Sequence, residues 1–343
     1  MTARVPVIAL TGHLGAGKTS LLNHLLRAPG ARLGVVVNDF GELNVDAALV
    51  SGQVDEAASI SGGCLCCLPD AGGLDEALRR LAQPRLRLDA ILVEASGAAD
   101  PLSVSLSLSR IIGSSEVGDV RHGGVIEVID AVTHFQTVDT RETPPNRFAA
   151  ATLVVIGKAD LLDEQQREAV VARICERVSA RNPDVQIVQA VRGGIDPALV
   201  FDTEADDDPV DQLPLARLLR EQSAERHDHE HARAVSVPLE GPVPPGALAD
   251  LLEEPPQGAY RLKGRVRVHG SRGRGGFRVD VVGPMIHVAR LPHPPQPGEL
   301  VVVGLELDAD DARARLEEVA ASQPSSADAA GLRRLTRLQR LSR

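Results

Sequence analysis

Apolar positions in the first part of the chain fall into two alternating rhythms. Val5 to Leu10 is a short apolar run that ends among glycines, and Leu21, Leu22, Leu25 and Leu26 then recur at helical spacing. The same exchange repeats down the chain. Strands are predicted at Leu33 to Val37, Leu88 to Val93, Gly124 to Ile129, Leu153 to Ile156 and Val185 to Val188. Helical spacing is predicted from about Pro69 to Ala82, from Pro101, near Pro144 to Ala151, and from Asp163 to about Arg181. Strands that alternate with helices predict an α/β fold, a doubly wound and mostly parallel sheet of the P-loop NTPase kind. After Thr203 the pattern lapses into Glu204, Asp206, Asp207, Asp208 and Pro209, an acidic linker that continues to His227-Asp228-His229-Glu230-His231. Regular patterning resumes near Ala234, with Val235, Val237 and Leu239 alternating, a helix over Pro245 to Glu253, and a strand over Arg261 to His269. Further strands at Arg278 to Val282, Ile286 to Ala289 and Leu300 to Leu305, then a helix from about Asp310 to Ala321, predict a smaller C-terminal α+β domain. The expected division is 1–202, a linker over 203–233, a second domain over 234–321, and a basic, flexible tail over 322–343.

The first strand and helix enclose Gly12-His13-Leu14-Gly15-Ala16-Gly17-Lys18-Thr19, a phosphate-binding loop in its required context. Gly12, Gly15 and Gly17 let the backbone curl until successive amides, with those of Ala16 and Ser20, point at phosphate oxygens. The helix that follows adds its positive end. Lys18 is placed to span the β- and γ-phosphates, and the Thr19 hydroxyl to coordinate Mg²⁺. Lysine usage sharpens the point: Lys18, Lys158 and Lys263 are the only three in the chain, against thirty-four arginines. Lysine has been kept where a compact ammonium is required.

Polar residues that end a parallel strand lie on the rim where ligands bind. Asp39 and Glu42 follow the second strand and Glu94 ends the next apolar one, so any of them can reach the Mg²⁺ shell, and Asp39 or Glu94 can orient the attacking water. Gly97 is placed to bring its N–H to the γ-phosphate, which makes Glu94 to Asp100 the expected switch segment. In Gly157-Lys158-Ala159-Asp160 the carboxylate can accept from both N1–H and N2–H₂ of guanine, whereas adenine offers no such donor pair; the Lys158 stem can lie along the base. The expected nucleotide is GTP.

Cys64, Cys66 and Cys67 fall within four positions. Thiolates so close suit Zn²⁺, Co²⁺ or Cu⁺, with Glu42 as a fourth ligand; dithiol redox chemistry and buried structural thiols are the competing readings. Cys175, beside Val171, Ile174 and Val178 at helical spacing, reads as packing, and His122 and His134 as surface or packing histidines. His227, His229 and His231 offer a second, flexible site for Zn²⁺, Ni²⁺ or Co²⁺. Arg265, Arg267 and His269 share one face of their strand, read as solvated ahead of the alternative of docking an acidic partner.

Net charge of −10 argues against nucleic-acid binding, and 2% aromatic content with no Trp removes stacking platforms. No apolar run reaches the roughly 18 residues that span a bilayer. With no leader pattern at the start, a cytoplasmic location and no membrane partner are expected.

The phosphate loop, Asn38 to Glu42, Gly63-Cys64-Leu65-Cys66-Cys67, Glu94-Ala95-Ser96-Gly97-Ala98-Ala99-Asp100-Pro101 and Gly157-Lys158-Ala159-Asp160 together resemble the CobW-like family of metallochaperone GTPases. The likeness continues through Tyr260-Arg261-Leu262-Lys263-Gly264 and covers about residues 4 to 320. It implies slow GTP hydrolysis coupled to holding Zn²⁺, or Co²⁺ for cobalamin, on the three cysteines. It also implies delivery to a client metalloprotein under nucleotide control, with a homodimer as one assembly to consider. The rivals are a buffer that stores zinc while nucleotide only stabilises the fold, and an ATP-dependent kinase on the same loop, against which Gly157-Lys158-Ala159-Asp160 speaks. This chain departs from the family at Gly157, where Asn, Ser or Thr is usual, at Asp39, commonly Glu, and in a basic C-terminal strand without the usual aromatics.

Overall fold

The computed structural model describes residues 4–28, 31–39, 57–61, 73–114, 117–201, 232–270, 273–322 and 328–342. Chain contacts divide between Glu230 and His231 into two compact units.

In the N-terminal unit, seven described strands form one sheet: β1 Val5–Gly12, β2 Leu33–Asp39, β3 Ala57–Ser61, β4 Ala90–Glu94, β5 Val120–Asp130, β6 Leu153–Gly157 and β7 Gln186–Gln189. Their order is β3-β2-β4-β1-β5-β6-β7, with every pairing parallel. Both faces of such a sheet must be covered, because crossover helices lie on them. Leu78 and Leu81 of α2 (Leu74–Leu81) and Val104 and Leu108 of α3 (Pro101–Gly113) pack with Val7, Val36, Ile91 and Val93. A second cluster joins Val171, Ile174 and Val178, from the helix Glu164–Arg181, to Ile129, Val154 and Ile156. Cys175 packs against that second cluster, as its spacing predicts.

Chain order sets the location of the site. From β1 the chain goes to one side of the sheet, and later elements fill the other side, so the order reverses at β1. Ligands bind outside the carboxyl ends of strands at such a reversal. There β1 runs into the phosphate loop, with α1 (Lys18–Leu26) behind it, β4 ends at Glu94 on one side and β5 at Asp130 on the other.

The C-terminal unit is a five-stranded antiparallel sheet in the order β11-β10-β9-β12-β8, built from β8 Arg233–Leu239, β9 Arg261–Gly270, β10 Gly273–Val282, β11 Met285–Leu291 and β12 Gly298–Gly304. Val235, Val237, Leu262, Val266, Val279 and Val302 turn one face toward Leu248, Leu251 and Leu252 of Pro245–Glu253, Leu316 of Ala309–Ala321 and Leu335 of Ala329–Leu341.

Three expectations are corrected. The stretch over 322–343, expected to be flexible, contains the helix Ala329–Leu341; Leu335 is fully buried, and Asp328 accepts from Gly331 N at 2.9 Å and from Gly246 N at 2.7 Å. One carboxylate thereby caps two helices, and Arg334 pairs with Asp250 at 2.6 Å. The docking partner of this helix lies about eighty residues away along the chain. The basic face of β9 is not uniformly solvated: Arg265 is exposed, but Arg267 is buried and donates to the Glu240 carbonyl. The helix expected near Pro144 to Ala151 is a short 3₁₀ turn, Asn146–Ala150, because Pro144 and Pro145 restrict its start.

Candidate functional site

The phosphate loop folds as its glycines require. Gly12, Gly15 and Gly17 have φ of 148°, 75° and 102°, values that side chains disfavour. Gly17 caps α1 from the left-handed region, and Lys18 follows as its first residue. Lys18 is 8% exposed, and its ammonium folds back over the loop to donate to the Gly12 carbonyl at 3.0 Å and the His13 carbonyl at 3.3 Å. These weak neutral acceptors can be exchanged for phosphate oxygens, which bind an ammonium more strongly. Thr19 donates its hydroxyl to Glu94 Oε1 at 3.0 Å. A cleft of about 450 Å³ opens over these groups, and its walls include Gly15, Gly17, Ser20, Glu94, Gly97 and Lys158.

The segment Glu94 to Asp100, expected as a switch, touches the loop. Gly97 is buried, and a Cβ at its position would stand 2.6 Å from Leu14 N and 2.7 Å from Leu14 Cα. Only glycine permits so close a backbone approach. Asp100 ends the segment by accepting from Ser103 N at 3.0 Å, and with Pro101 in the first helical position it starts α3.

From the other side, Lys158 adopts a left-handed conformation with φ of 61° and donates to Gly15 O at 2.5 Å and Asp130 Oδ2 at 2.8 Å. Burial pushes the Asp130 carboxyl up, but the Lys158 ammonium and the Val132 and Thr133 amides outweigh it and hold it below the ordinary carboxylate range. Asp160 is exposed and is not among the residues that line the cleft. The loop after β7 returns to the site: His24 Nε2 lies 2.8 Å from Ile195 O, and a Cβ on Gly193 would meet Ser20 Cβ at 3.1 Å.

His134 is buried between Phe135 and Phe148, so it is a packing histidine. His122 is partly buried near Ser105 Oγ, with its Nε2 3.2 Å away, and burial holds its imidazole below the ordinary value. Asp39 ends β2 on the same rim as Glu94. Glu42, Cys64, Cys66, Cys67, His227, His229 and His231 lie outside the described residues. Among the described residues no group of three or more His, Cys, Asp or Glu side chains could hold a metal ion, and no helix is long and apolar enough to cross a membrane.

Thr11, Glu127, Asp130 and Arg147 are neighbours of the site that the pattern of residues did not single out. Asp130 ends a parallel strand, so the rule that marked Glu94 would have found it. Glu127 sits inside an apolar run and carried no such signal.

Residues 6–189 match the CobW/HypB/UreG nucleotide-binding domain, and residues 232–320 match the C-terminal domain of the cobalamin synthesis protein cobW. The chain belongs to the CobW family. It shares that family's two-part organisation and its GTPase catalytic domain, as the phosphate loop and the Gly157-Lys158-Ala159-Asp160 segment imply. A "Zinc chaperone CobW" from Sinorhizobium sp is 27% identical over 310 residues, a match covering 82% of each chain. A "Zinc chaperone CobW" from Pseudomonas aeruginosa is 32% identical over 262 residues, 66% of this chain and 65% of the relative. The "Zinc chaperone YjiA" of Escherichia coli is 30% identical over 207 residues, 58% of this chain and 61% of the relative. A crystal structure of Zn(II)-bound YjiA GTPase from E. coli aligns over 93% of this chain and 99% of that one, at 20% identity and a TM-score of 0.40.

Proposed function

We propose that this CobW-family GTPase is a cytoplasmic metallochaperone. It binds Zn²⁺, with Co²⁺ as the alternative cargo, through Cys64, Cys66 and Cys67, and passes it to a client metalloprotein under control of the bound nucleotide. The observation that carries the reading is the contact of Gly97 with Leu14, which joins the switch segment directly to the phosphate loop on a chain bearing a Cys-x-Cys-Cys motif. Clustered thiols remain available as metal ligands only where disulfides are kept reduced, which favours the cytoplasm.

Lys18 gives up its two carbonyl acceptors to hold the β- and γ-phosphates, and the loop amides neutralise charge as it develops on the transferred group. Thr19 and Glu94, hard oxygen donors 3.0 Å apart in the cleft, suit Mg²⁺ and would hold it. When bound, that ion supplies positive charge against the phosphate oxygens. Asp39 or Glu94 orients the attacking water. Asp160 selects guanine by accepting from its two N–H donors, and Lys158 ties that segment to Gly15. Unaided GTPases of this kind turn over at roughly 10⁻⁴ to 10⁻² s⁻¹, so client binding is expected to accelerate the step. Glu42 supplies a further metal ligand, and His227, His229 and His231 gather metal before transfer.

Zinc affinity is measured by competition with a chromophoric chelator under reducing conditions, with GTP analogue, GDP or no nucleotide. Wild type is compared with the Cys64/Cys66/Cys67→Ser variant. Affinity that depends on both nucleotide and cysteines is the expected result, because a nucleotide can shift metal occupancy only through differential affinity. Tight but nucleotide-independent affinity would replace the carrier with a buffer. Binding independent of the cysteines would remove the metal assignment of that motif.

A further inference from the structure

Under the phosphate loop lies a buried ion pair to which hydrolysis and metal transfer assign no task. Glu127 stands opposite Thr11 in the β1–β5 register and is 2% exposed. Its Oε2 lies 2.7 Å from Thr11 Oγ1, and its Oε1 accepts from Arg147 Nε. Thr11, itself 1% exposed, also places its hydroxyl 3.1 Å from Ile126 O. The next residue is Gly12, where the loop begins, and there is no slack behind it: a Cβ on Gly12 would stand 2.5 Å from Val128 O.

A carboxyl paired with arginine is an expensive choice for the interior of a parallel strand, where valine or isoleucine would pack at no electrostatic cost. Its position is stranger still for its sign. The loop above exists to collect negative charge, and Glu127 is near enough to Lys18 for the ammonium to favour its ionised form. Burial pushes the Glu127 carboxyl above the ordinary carboxylate range, and Arg147, Thr11 and Lys18 pull it back only in part. His13, Asp130 and His134 complete the polar surroundings, lining the same small cavity as Glu127. Without Arg147, whatever charge the carboxyl keeps would face the incoming phosphates with no cation to cancel it.

Taking the cleft as a phosphate site, we infer that Glu127 and Arg147 are positioning residues: Glu127 pins Thr11 at the root of the loop, and Arg147 cancels the charge that this anchor places beneath the phosphates. Two consequences separate this role from mere support of the fold. Loss of Arg147 harms binding in proportion to phosphate charge, so GTP suffers more than GDP. Removing the carboxylate as well restores binding.

The test is affinity of the full-length protein for fluorescently labelled GDP and a non-hydrolysable GTP analogue, at one ionic strength, with thermal unfolding recorded alongside. Arg147→Met is expected to weaken the GTP analogue by about tenfold or more and GDP by less. Arg147→Lys keeps the charge and stays within about threefold of wild type. The double variant Glu127→Gln/Arg147→Met returns to within about threefold, because glutamine keeps the hydrogen bond to Thr11 without the charge. Arg147→Met that binds as wild type, or a folded double variant as weak as the single, would overturn the inference. If Arg147→Met does not fold, Glu127→Gln alone decides: binding at least as tight as wild type supports the role, and a tenfold loss in a folded protein overturns it. Wild type that binds neither nucleotide, or Lys18→Ala that binds both unchanged, would instead overturn the phosphate-site reading on which the inference rests.

Discussion

Gly97→Ala is the smallest change that should uncouple the switch segment from the phosphate loop. The added methyl would stand 2.6 Å from Leu14 N, and ordinary contact begins at 3.4 Å, so the two segments must part by about 0.8 Å. The obstructing atoms are backbone, which cannot swing aside as a side chain would. Leu14 lies between Gly12 and Gly15, and the loop root has no room to retreat, since a Cβ on Gly12 would stand 2.5 Å from Val128 O, so the switch segment is the part that yields. Glu94 begins that segment and holds Thr19 at 3.0 Å, which places the displacement next to the reacting phosphate. A misplacement near 1 Å costs roughly 10²-fold in rate, about 2.7 kcal/mol of transition-state stabilisation. GDP, which has no γ-phosphate to engage the segment, should lose little affinity. Single-turnover hydrolysis of GTP by excess enzyme reads the chemical step directly, and fluorescent GDP binding serves as the control. A fall of about 10²-fold in the rate, with GDP affinity within about threefold, is the expected outcome. Wild-type turnover in Gly97→Ala would refute the claim that this contact couples the two segments.

Other perturbations test other parts of the argument. Gly157→Ser should tighten guanine-nucleotide binding by about two- to fivefold, since a Cβ there meets only Ala16 O at 3.6 Å and Ile129 O at 3.7 Å, and a hydroxyl can donate to either; calorimetric GDP titration would show it, and weaker binding would contradict it. Asp328→Ala removes one carboxylate from two amides and should cost about 2 kcal/mol in urea unfolding of the C-terminal unit, with an unchanged midpoint counting against the double cap. His134 is held down at about 4, first by burial, against 6.5 when free. The unfolded chain therefore binds the extra proton first, so stability is fully present above pH 6.5 and is lost as pH falls toward 4, by about 3 kcal/mol. His134→Gln should flatten that part of the pH dependence, and an identical slope in wild type and variant would refute the assignment.

The sequence by itself was enough for the alternation of strands and helices, because parallel strands buried on both faces read as apolar runs and helices carry their own period. It was enough for the phosphate loop as well. Gly12, Gly15, Gly17, Lys18 and Thr19 act through local backbone geometry, and local geometry is written in consecutive residues. Glu94 and Gly97 were legible for a related reason, since the end of a parallel strand has a known place in the fold. What required the tertiary structure was every contact between residues distant in the chain. The 2.6 Å approach of Gly97 to Leu14, the reach of Lys158 to Gly15 across 143 positions, and the pairing of Glu127 with Thr11 across 116 depend on strand order and register. Periodicity specifies faces but not neighbours. The helix Ala329–Leu341 illustrates the limit: Asp328 meets Gly246 only after the sheet has brought them together, and that contact turns an expected loose tail into part of the core.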